Sequence, residues 1–281
     1  MYGTATTVET WLALEYNGRW SGDAFRDSRI PDAVKTTVND YLAALPNPRL
    51  QLIKKQEQDT DGIKLFIARS GENSTSLSEV TLGGYEELLD NDVGSVIRNH
   101  AVERSEPLFL MCTNGEYDQC CGKFGMSVYR DVAAGAHGGS AWQSTHLGGH
   151  RFASTFVCLP HGLYYGRVRE GTRADEIFSE YKQGRIDLGN YRGRSCYNPP
   201  LQAAEYFLRK ETGMREIDAY SFKSTGEENG EIRAEFISTT DDRIYIVRLR
   251  KLEASLKVLK SCGDKERSFI PQYRLLRIGQ A

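Results

Sequence analysis

The chain of 281 residues lacks the features that mark membrane, secreted and nucleic-acid-binding proteins. No uninterrupted apolar run approaches the roughly 20 residues that a helix needs to cross a bilayer. The formal net charge is only −2, so the composition predicts no strong attraction to nucleic acids or anionic membranes. The first residues show no basic stretch followed by an apolar one, so we expect no secretory signal and a cytoplasmic location.

Cysteine is also scarce, and its spacing is irregular. So few cysteines at irregular spacing are not typical of a small fold that is held together by several disulfide bonds. Their scarcity agrees with a reducing compartment. No Cys-x-x-Cys motif is present, although this motif is typical of thioredoxin-like redox enzymes. No pair of carboxylates stands in a recognisable catalytic context. The six thiols are Cys112, Cys120, Cys121, Cys158, Cys196 and Cys262.

What is present predicts a folded α/β protein. Apolar residues make up 40 % of the chain and charged residues 26 %, which is ordinary for a globular protein with a core. The first half reads β-α-β-β-β-α, and a similar series follows it, which suggests a degenerate internal duplication. The predicted strands cover residues 10–17, 50–54, 63–68, 77–82, 107–111, 152–159 and 163–168, and the predicted helices start near residues 31, 85, 121, 172 and 199.

These series predict three parts. Residues 1–104 form one α/β unit, residues 105–214 form a second α/β unit that carries the chemistry, and residues 215–281 form an antiparallel β-rich tail packed on it. In the first unit, Asp59-Thr-Asp61-Gly62 superficially resembles a calcium loop. The later oxygen ligands of such a loop are missing, so a hairpin turn is favoured there.

The stretch between Cys112 and His150 has the densest set of potential metal ligands. Cys112 follows an apolar run that we predict to be a buried strand, and Cys120 and Cys121 stand at the start of the next helix. His146 and His150 flank Leu-Gly-Gly, whose glycines permit the backbone to wrap around a ligand. Thiolates and imidazoles are the ligands of tetrahedral zinc and of the irons in small iron–sulfur clusters. The sequence therefore predicts a metal or cluster site.

Two other interpretations stay open from the residues alone. A helix N-terminus lowers the pKa of a thiol, so Cys120 or Cys121 would also suit a thioredoxin-like thiol oxidoreductase. Buried cysteines are, in addition, often inert hydrophobic residues. Since neighbouring cysteines rarely form a disulfide with each other, we expect one of the two to be a ligand and the other a spectator, and the spacing does not decide which.

The remaining histidines and the nearby cations carry weaker signals. His137 lies in a glycine-rich loop and His161 in a hairpin turn, so we expect both to be solvated. Five basic residues near the motif would either offset the negative charge of a cluster, dock a partner, or simply be solvated surface charges. They are Lys123, Arg151, Arg167, Arg192 and Arg194.

Around these ligands the sequence resembles the sucrase/ferredoxin-like family, a branch of the thioredoxin-like 2Fe–2S ferredoxins. The resemblance rests on Cys112 and Cys121, which are separated by eight residues, and on the motif His146-Leu-Gly-Gly-His150. It covers most of the chain and is weak before about residue 100. Further similar segments are 149–153, 160–167, 192–195 and 202–205.

The resemblance implies a 2Fe–2S cluster held by Cys112, Cys121, His146 and His150, with Cys120 as an extra thiol or alternative ligand. The two histidines stand where ordinary thioredoxin-like ferredoxins have cysteines. The resemblance also implies a thioredoxin-like fold for the cluster-bearing unit, preceded by a degenerate thioredoxin-like unit without a cluster.

The implied function is one-electron transfer to or from a redox partner protein. Neutral imidazoles in place of two thiolates make a cluster easier to reduce, and an iron-bound histidine would couple electron uptake to proton uptake. The sequence departs from many relatives at Asn114 and Tyr117, in a loop that often carries His and Arg. A structural zinc module, which needs the same four ligands, is the main alternative.

Overall fold

The computed structural model describes residues 1–56, 62–72, 74–90, 92–252, 257–259, 261 and 265–280. Most of the hairpin turn predicted at 59–62, together with Cys262, lies outside these residues.

A ten-stranded mixed sheet runs through residues 10–194. Its strand order is β10-β9-β8-β6-β7-β2-β1-β3-β4-β5. The mixed α/β class predicted from the sequence is confirmed. The strands are β1 (Thr10–Glu15), β2 (Pro48–Lys54), β3 (Ile63–Ser70), β4 (Thr75–Leu82), β5 (Val102–Glu103), β6 (Leu108–Cys112), β7 (Ala141–Ser144), β8 (Thr155–Leu159), β9 (Leu163–Gly166) and β10 (Tyr191–Arg194).

The two halves of this sheet have the same strand arrangement. In the first half, β1 pairs parallel with β2 and antiparallel with β3, and β3 pairs antiparallel with β4. In the second half, β6 pairs parallel with β7 and antiparallel with β8, and β8 pairs antiparallel with β9. Antiparallel contacts between β2 and β7 join the halves. The repeated element order of the sequence therefore corresponds to a repeated topology, whereas the division at residue 104 stays a prediction.

Helices pack on each half of the sheet and form one core with each half. A third core combines residues from both halves. The helices of the first half pack on Leu12 and Leu14, and those of the second half pack on Phe109 and Met111. The alternate residues of β1 and β6 point into the third core, which also contains Cys112, Cys121 and Leu147. No helix in the described part of the chain is long and apolar enough to cross a bilayer. The helices are α1 (Asp32–Ala43), α2 (Glu87–Asp90), α3 (Asp92–His100), α4 (Met126–Ala133), α5 (Gly171–Lys182) and α6 (Pro199–Thr212).

Strand β7 was not predicted, although it lies in the middle of the sheet. All four of its residues are buried, yet Gln143 and Ser144 are polar, so the segment lacks the apolar pattern of a central strand. Their side chains are satisfied by partners far along the chain. The Gln143 amide oxygen accepts from Thr113 Oγ1 at 3.2 Å, and Ser144 Oγ donates to Gln51 Oε1 at 3.0 Å. Local sequence could not reveal these contacts.

The tail forms the predicted antiparallel sheet, in the order β11-β12-β13-β16. It packs on α6 around a separate apolar core that includes Leu208, Phe236 and Val247. A buried ion-pair group anchors α6 to β10, because Glu205 lies 3.2 Å from Arg194 and 3.1 Å from Arg209. The strands of the tail are β11 (Tyr220–Glu228), β12 (Glu231–Ser238), β13 (Ile244–Leu252), β14 (Lys257–Leu259), β15 (Arg267–Phe269) and β16 (Gln272–Gln280).

Candidate metal centre

Cys112 and Cys121 meet where the end of β6 touches the start of the next helix. Cys112 is the last residue of β6, and Cys121 opens a π-helical turn, Cys121–Gly125, that continues into α4. A Cβ atom on Gly125 would lie only 1.9 Å from the carbonyl oxygen of Cys112. Only glycine therefore lets the helical turn come this close to the strand. Single π-helical turns of this kind are frequent at functional sites.

The histidines reach the same place because β7 runs parallel to β6. Ser144, the last residue of β7, is in register with Cys112, so His146 follows the strand at the edge where the cysteine lies. Gly148 and Gly149 then have φ angles of 96° and 74°, which turn the chain back and suit glycine. His150 begins a short 3₁₀ turn, His150–Phe152, directly after them.

The four predicted ligands are neighbours in the structure. The ligand atoms of Cys112, Cys121 and His146 all lie within 4.8 Å of one another. The Sγ atom of Cys112 is 3.8 Å from Nδ1 of His146. On the other side of the same imidazole, Nε2 lies 3.4 Å from Nδ1 of His150. Three of the predicted ligands thus form a compact group, and His150 is adjacent to it through His146.

The cysteine side of the site is buried, and the histidine side is nearer to solvent. Cys112 and Cys121 are each 1 % exposed. His146 and His150 are half-buried. The ring of Tyr117 stacks on His146 and is itself 46 % exposed. The histidines and Tyr117 therefore form the part of the site that a second molecule could approach.

The two thiols shift each other's pKa in opposite directions. The hydrogen bond from Cys121, together with contacts to His146, holds the pKa of the Cys112 thiol well below its usual range in spite of burial. The same hydrogen bond and burial raise the pKa of Cys121. Such a pair suits a metal ion, since binding a metal displaces the remaining proton and compensates the negative charge.

Arg192 places a positive charge beside the thiols. Its guanidinium is 1 % exposed and donates to Thr4 Oγ1 at 3.2 Å and to the carbonyl oxygen of Gly148 at 3.1 Å. Burial lowers its pKa to about 10, and attraction to Cys112 and Cys121 works in the opposite direction. Arg192 therefore stays charged at neutral pH and offsets negative charge on the sulfurs.

The remaining candidates of the sequence analysis lie outside the ligand group. Cys120 is disulfide-bonded in the structure. Because a disulfide sulfur is not a thiolate, this bond favours Cys121 over Cys120 as the ligand. Arg194 is the buried partner of Glu205 and not a surface cation.

The expectation that His137 and His161 are solvated is wrong. His137 is 8 % exposed, and its Nε2 lies 3.2 Å from Ser179 Oγ. Nδ1 of His161 lies 2.6 Å from the hydroxyl of Tyr181, and the side chain is mostly buried. Both loops fold against α5, which the local sequence did not reveal.

The donor set fits a thiophilic metal or a small iron–sulfur cluster. It combines two thiols and two imidazoles, and the buried cation Arg192 lies near the thiols. Thiols and imidazoles are the ligands that such groups prefer. The geometry alone is compatible with either kind of group.

Comparison with known proteins assigns the chain to a family. The family model named sucrase/ferredoxin-like matches residues 1–193, which is more than half of the chain and includes all four predicted ligands. No curated protein and no solved structure matches the chain. The residues found together at the end of β6 and β7 lie within the matched region, and the chain belongs to the sucrase/ferredoxin-like family.

Proposed function

We propose that the protein is a one-electron carrier with a 2Fe–2S cluster held by Cys112, Cys121, His146 and His150. The observation that carries this proposal is the arrangement of two buried thiols against two half-exposed imidazoles at the ends of two parallel strands. Membership of a ferredoxin-like family supports it. When bound, such a cluster would supply a reversible one-electron acceptor.

The residues of the chain have separate parts in this function. The cysteines lie in the core, where solvent is excluded from the sulfurs. Arg192 offsets their charge, and this favours the reduced state because reduction adds negative charge. The histidine side lies toward the surface, so electrons would enter and leave there. The predicted coupling of electron uptake to histidine protonation stays a prediction, and a midpoint potential that is flat from about pH 6 to about pH 10 would contradict it.

A single zinc ion is the second candidate, and one distance favours it. Cys112 Sγ and His146 Nδ1 are 3.8 Å apart. Two ligands of one tetrahedral zinc, with bonds of about 2.3 Å to sulfur and about 2.0 Å to nitrogen, lie at a similar separation. A thiol oxidoreductase that uses Cys120 or Cys121 is less well supported. Cys121 is 1 % exposed, whereas a catalytic thiol must meet its substrate. Cys120 is disulfide-bonded and is therefore not a free thiol.

The test is the metal content and visible spectrum of protein purified without oxygen. We expect two irons and two sulfides per chain and a red-brown colour that bleaches on reduction. One zinc per chain in a colourless protein would replace the cluster by the zinc module. A protein that binds neither metal, even after reconstitution with iron and sulfide, would refute both.

A further inference from the structure

The structure divides the basic residues near the site into internal and surface groups. Arg192 and Arg194 are buried, at 1 % and 4 % exposure. Arg192 donates a hydrogen bond to the carbonyl oxygen of Gly148, and Arg194 forms an ion pair with Glu205. The other three predicted cations are exposed or half-exposed, and a fourth, Arg169, joins them. We call this surface group the basic rim, and it consists of Lys123, Arg151, Arg167 and Arg169.

The ring of Phe152 holds two cations of the rim, Arg151 and Arg167, beside the histidine side of the site. The guanidinium of Arg151 lies 4.9 Å from the centre of the Phe152 ring, and that of Arg167 lies 5.5 Å from it. Phe152 ends the 3₁₀ turn that His150 begins. These two charges are therefore attached to the turn that presents a ligand.

The ring of Phe124 holds the other two cations, Lys123 and Arg169, beside the cysteine side of the site. The guanidinium of Arg169 lies 3.8 Å from the centre of the Phe124 ring, and the ammonium of Lys123 lies 5.5 Å from it. Phe124 belongs to the π-helical turn opened by Cys121 and packs on the core that contains both cysteines. Cation–π contacts thus give all four charges defined positions around the site.

The charges of the rim have no acidic partner among the described residues. None of the four side chains makes an ion pair within the part of the chain that the structure describes. Glu170 is exposed directly after Arg169 and reduces the local charge only in part. By contrast, Arg19 and Glu116, in loops near Tyr117, pair at 2.8 Å. The chain as a whole carries a net charge of −2, so the positive rim is a local feature.

We propose that the basic rim docks the acidic surface of a redox partner protein and brings that partner onto the histidine side of the site. This inference rests on the proposed electron-transfer function. Carboxylates on the partner would relieve the repulsion among the four cations and would steer the encounter, since complementary charge raises association rates by about 10- to 1,000-fold at low salt.

The features of the rim favour a protein partner over a nucleic acid. Sequence-independent binding of DNA commonly uses about 6–10 phosphate contacts, whereas the rim offers four cations and lies next to the exposed Glu170. The partly exposed ring of Tyr117 beside His146 and His150 also resembles the aromatic residues that are enriched at protein interfaces.

The first test measures electron transfer from the reduced protein to two inorganic oxidants of opposite charge. One electron passes to hexacyanoferrate(III), whose iron(III) becomes iron(II), or to tris(phenanthroline)cobalt(III), whose cobalt(III) becomes cobalt(II). Stopped-flow rates are recorded between about 10 mM and about 500 mM salt. We expect the rate with the anionic oxidant to fall about 10-fold as salt is added, and the rate with the cationic oxidant to rise.

Two charge variants with the same composition make this test specific. In the rim variant, Lys123, Arg151, Arg167 and Arg169 are replaced by Gln, and both salt dependences should flatten. The control variant replaces exposed cations of α6, of the tail sheet and of the loop before β13, namely Lys210, Arg250, Arg274 and Arg243, by Gln and should behave as the wild type. Equal salt dependence in the two variants, in a protein that is reduced normally, would overturn the docking surface and leave the electron-transfer function intact.

The second test needs no bound cluster and so separates the two proposals. Calorimetric titration with poly-L-glutamate should show binding to the wild type and the control variant, weakened at least about 10-fold in the rim variant. A duplex DNA of mixed sequence serves as the competing probe. Tighter binding of DNA than of poly-L-glutamate through the same four residues, or binding of poly-L-glutamate that the rim variant retains, would refute an acidic protein partner.

Discussion

The ring of Tyr117 lies parallel to the imidazole of His146, with the ring centres 3.8 Å apart and the planes inclined by 11°. The imidazole is thereby enclosed by Tyr117 on one face, while its two nitrogens point to Cys112 and His150. Tyr117 thus orients a predicted ligand and covers it from solvent. Tyr117, which is 46 % exposed, is therefore the part of this contact that faces solvent.

Removal of this ring should loosen the site. Stacked aromatic pairs contribute ~0.5–1.5 kcal/mol, so Tyr117→Ala should release bound metal to a chelator about 2- to 10-fold faster than the wild type. Tyr117→Phe keeps the ring and serves as the control, with a release rate close to that of the wild type. Equal release from the Ala and Phe variants would show that the stacking does not hold His146.

Substitution of one buried cysteine should abolish metal binding, whereas substitution of another should not. Cys112→Ala removes a proposed ligand, so the purified variant should contain almost no metal. Cys158→Ala is the matched control, because Cys158 is equally buried in β8 but lies outside the ligand group. It should lose about 1–3 kcal/mol of stability and keep its metal. A full complement of metal in the Cys112 variant would contradict the assignment of the ligand.

The close contact between the π-helical turn and β6 should not tolerate a side chain. In Gly125→Ala the new Cβ would meet the backbone oxygen of Cys112 at 1.9 Å, and a backbone atom cannot rotate away. The free energy of unfolding should fall by about 2–4 kcal/mol, and metal affinity should fall with it. Gly139→Ala, which meets nothing within 4 Å, is the control in chemical denaturation. Equal stabilities of the two variants would contradict the contact.

Burial of His161 should make the protein less stable in mild acid. Burial and the nearby charge of Arg194 lower the pKa of this histidine from 6.5 to about 4, although Asp218 opposes the shift. Between these values the unfolded chain binds more protons than the folded one, so the free energy of unfolding falls as the pH falls through this window. The loss approaches about 3 kcal/mol near pH 4, at about 1.4 kcal/mol for each pH unit.

The measurement is urea unfolding of His161→Gln at about pH 7 and at about pH 4.5. Glutamine does not titrate, so this variant should show a smaller loss of stability than the wild type between the two pH values. His100→Gln, at an exposed position at the end of α3, should retain the full loss. The same pH dependence in all three proteins would exclude His161 as its cause.

The sequence by itself determined the elements with a clear local pattern and the types of the candidate ligands. The predicted strands and helices of the first half are found. Their apolar residues recur at the spacing that places them on one buried face of a strand or a helix. Cys112 follows a wholly apolar run, which is the pattern of a central strand, and the structure places it at the end of β6. The predicted antiparallel tail is found for the same reason, since its strands alternate with period two.

Only the tertiary structure decided which distant residues meet. β7 was missed because its buried Gln143 and Ser144 are satisfied by side chains from other strands. Arg192 looks like a surface charge in the sequence, yet the close approach of Gly149 and the first residues of the chain encloses it. The basic rim is likewise assembled from segments around residues 123, 151 and 167. Such arrangements depend on contacts between residues far apart in the chain, and local periodicity carries no information about them.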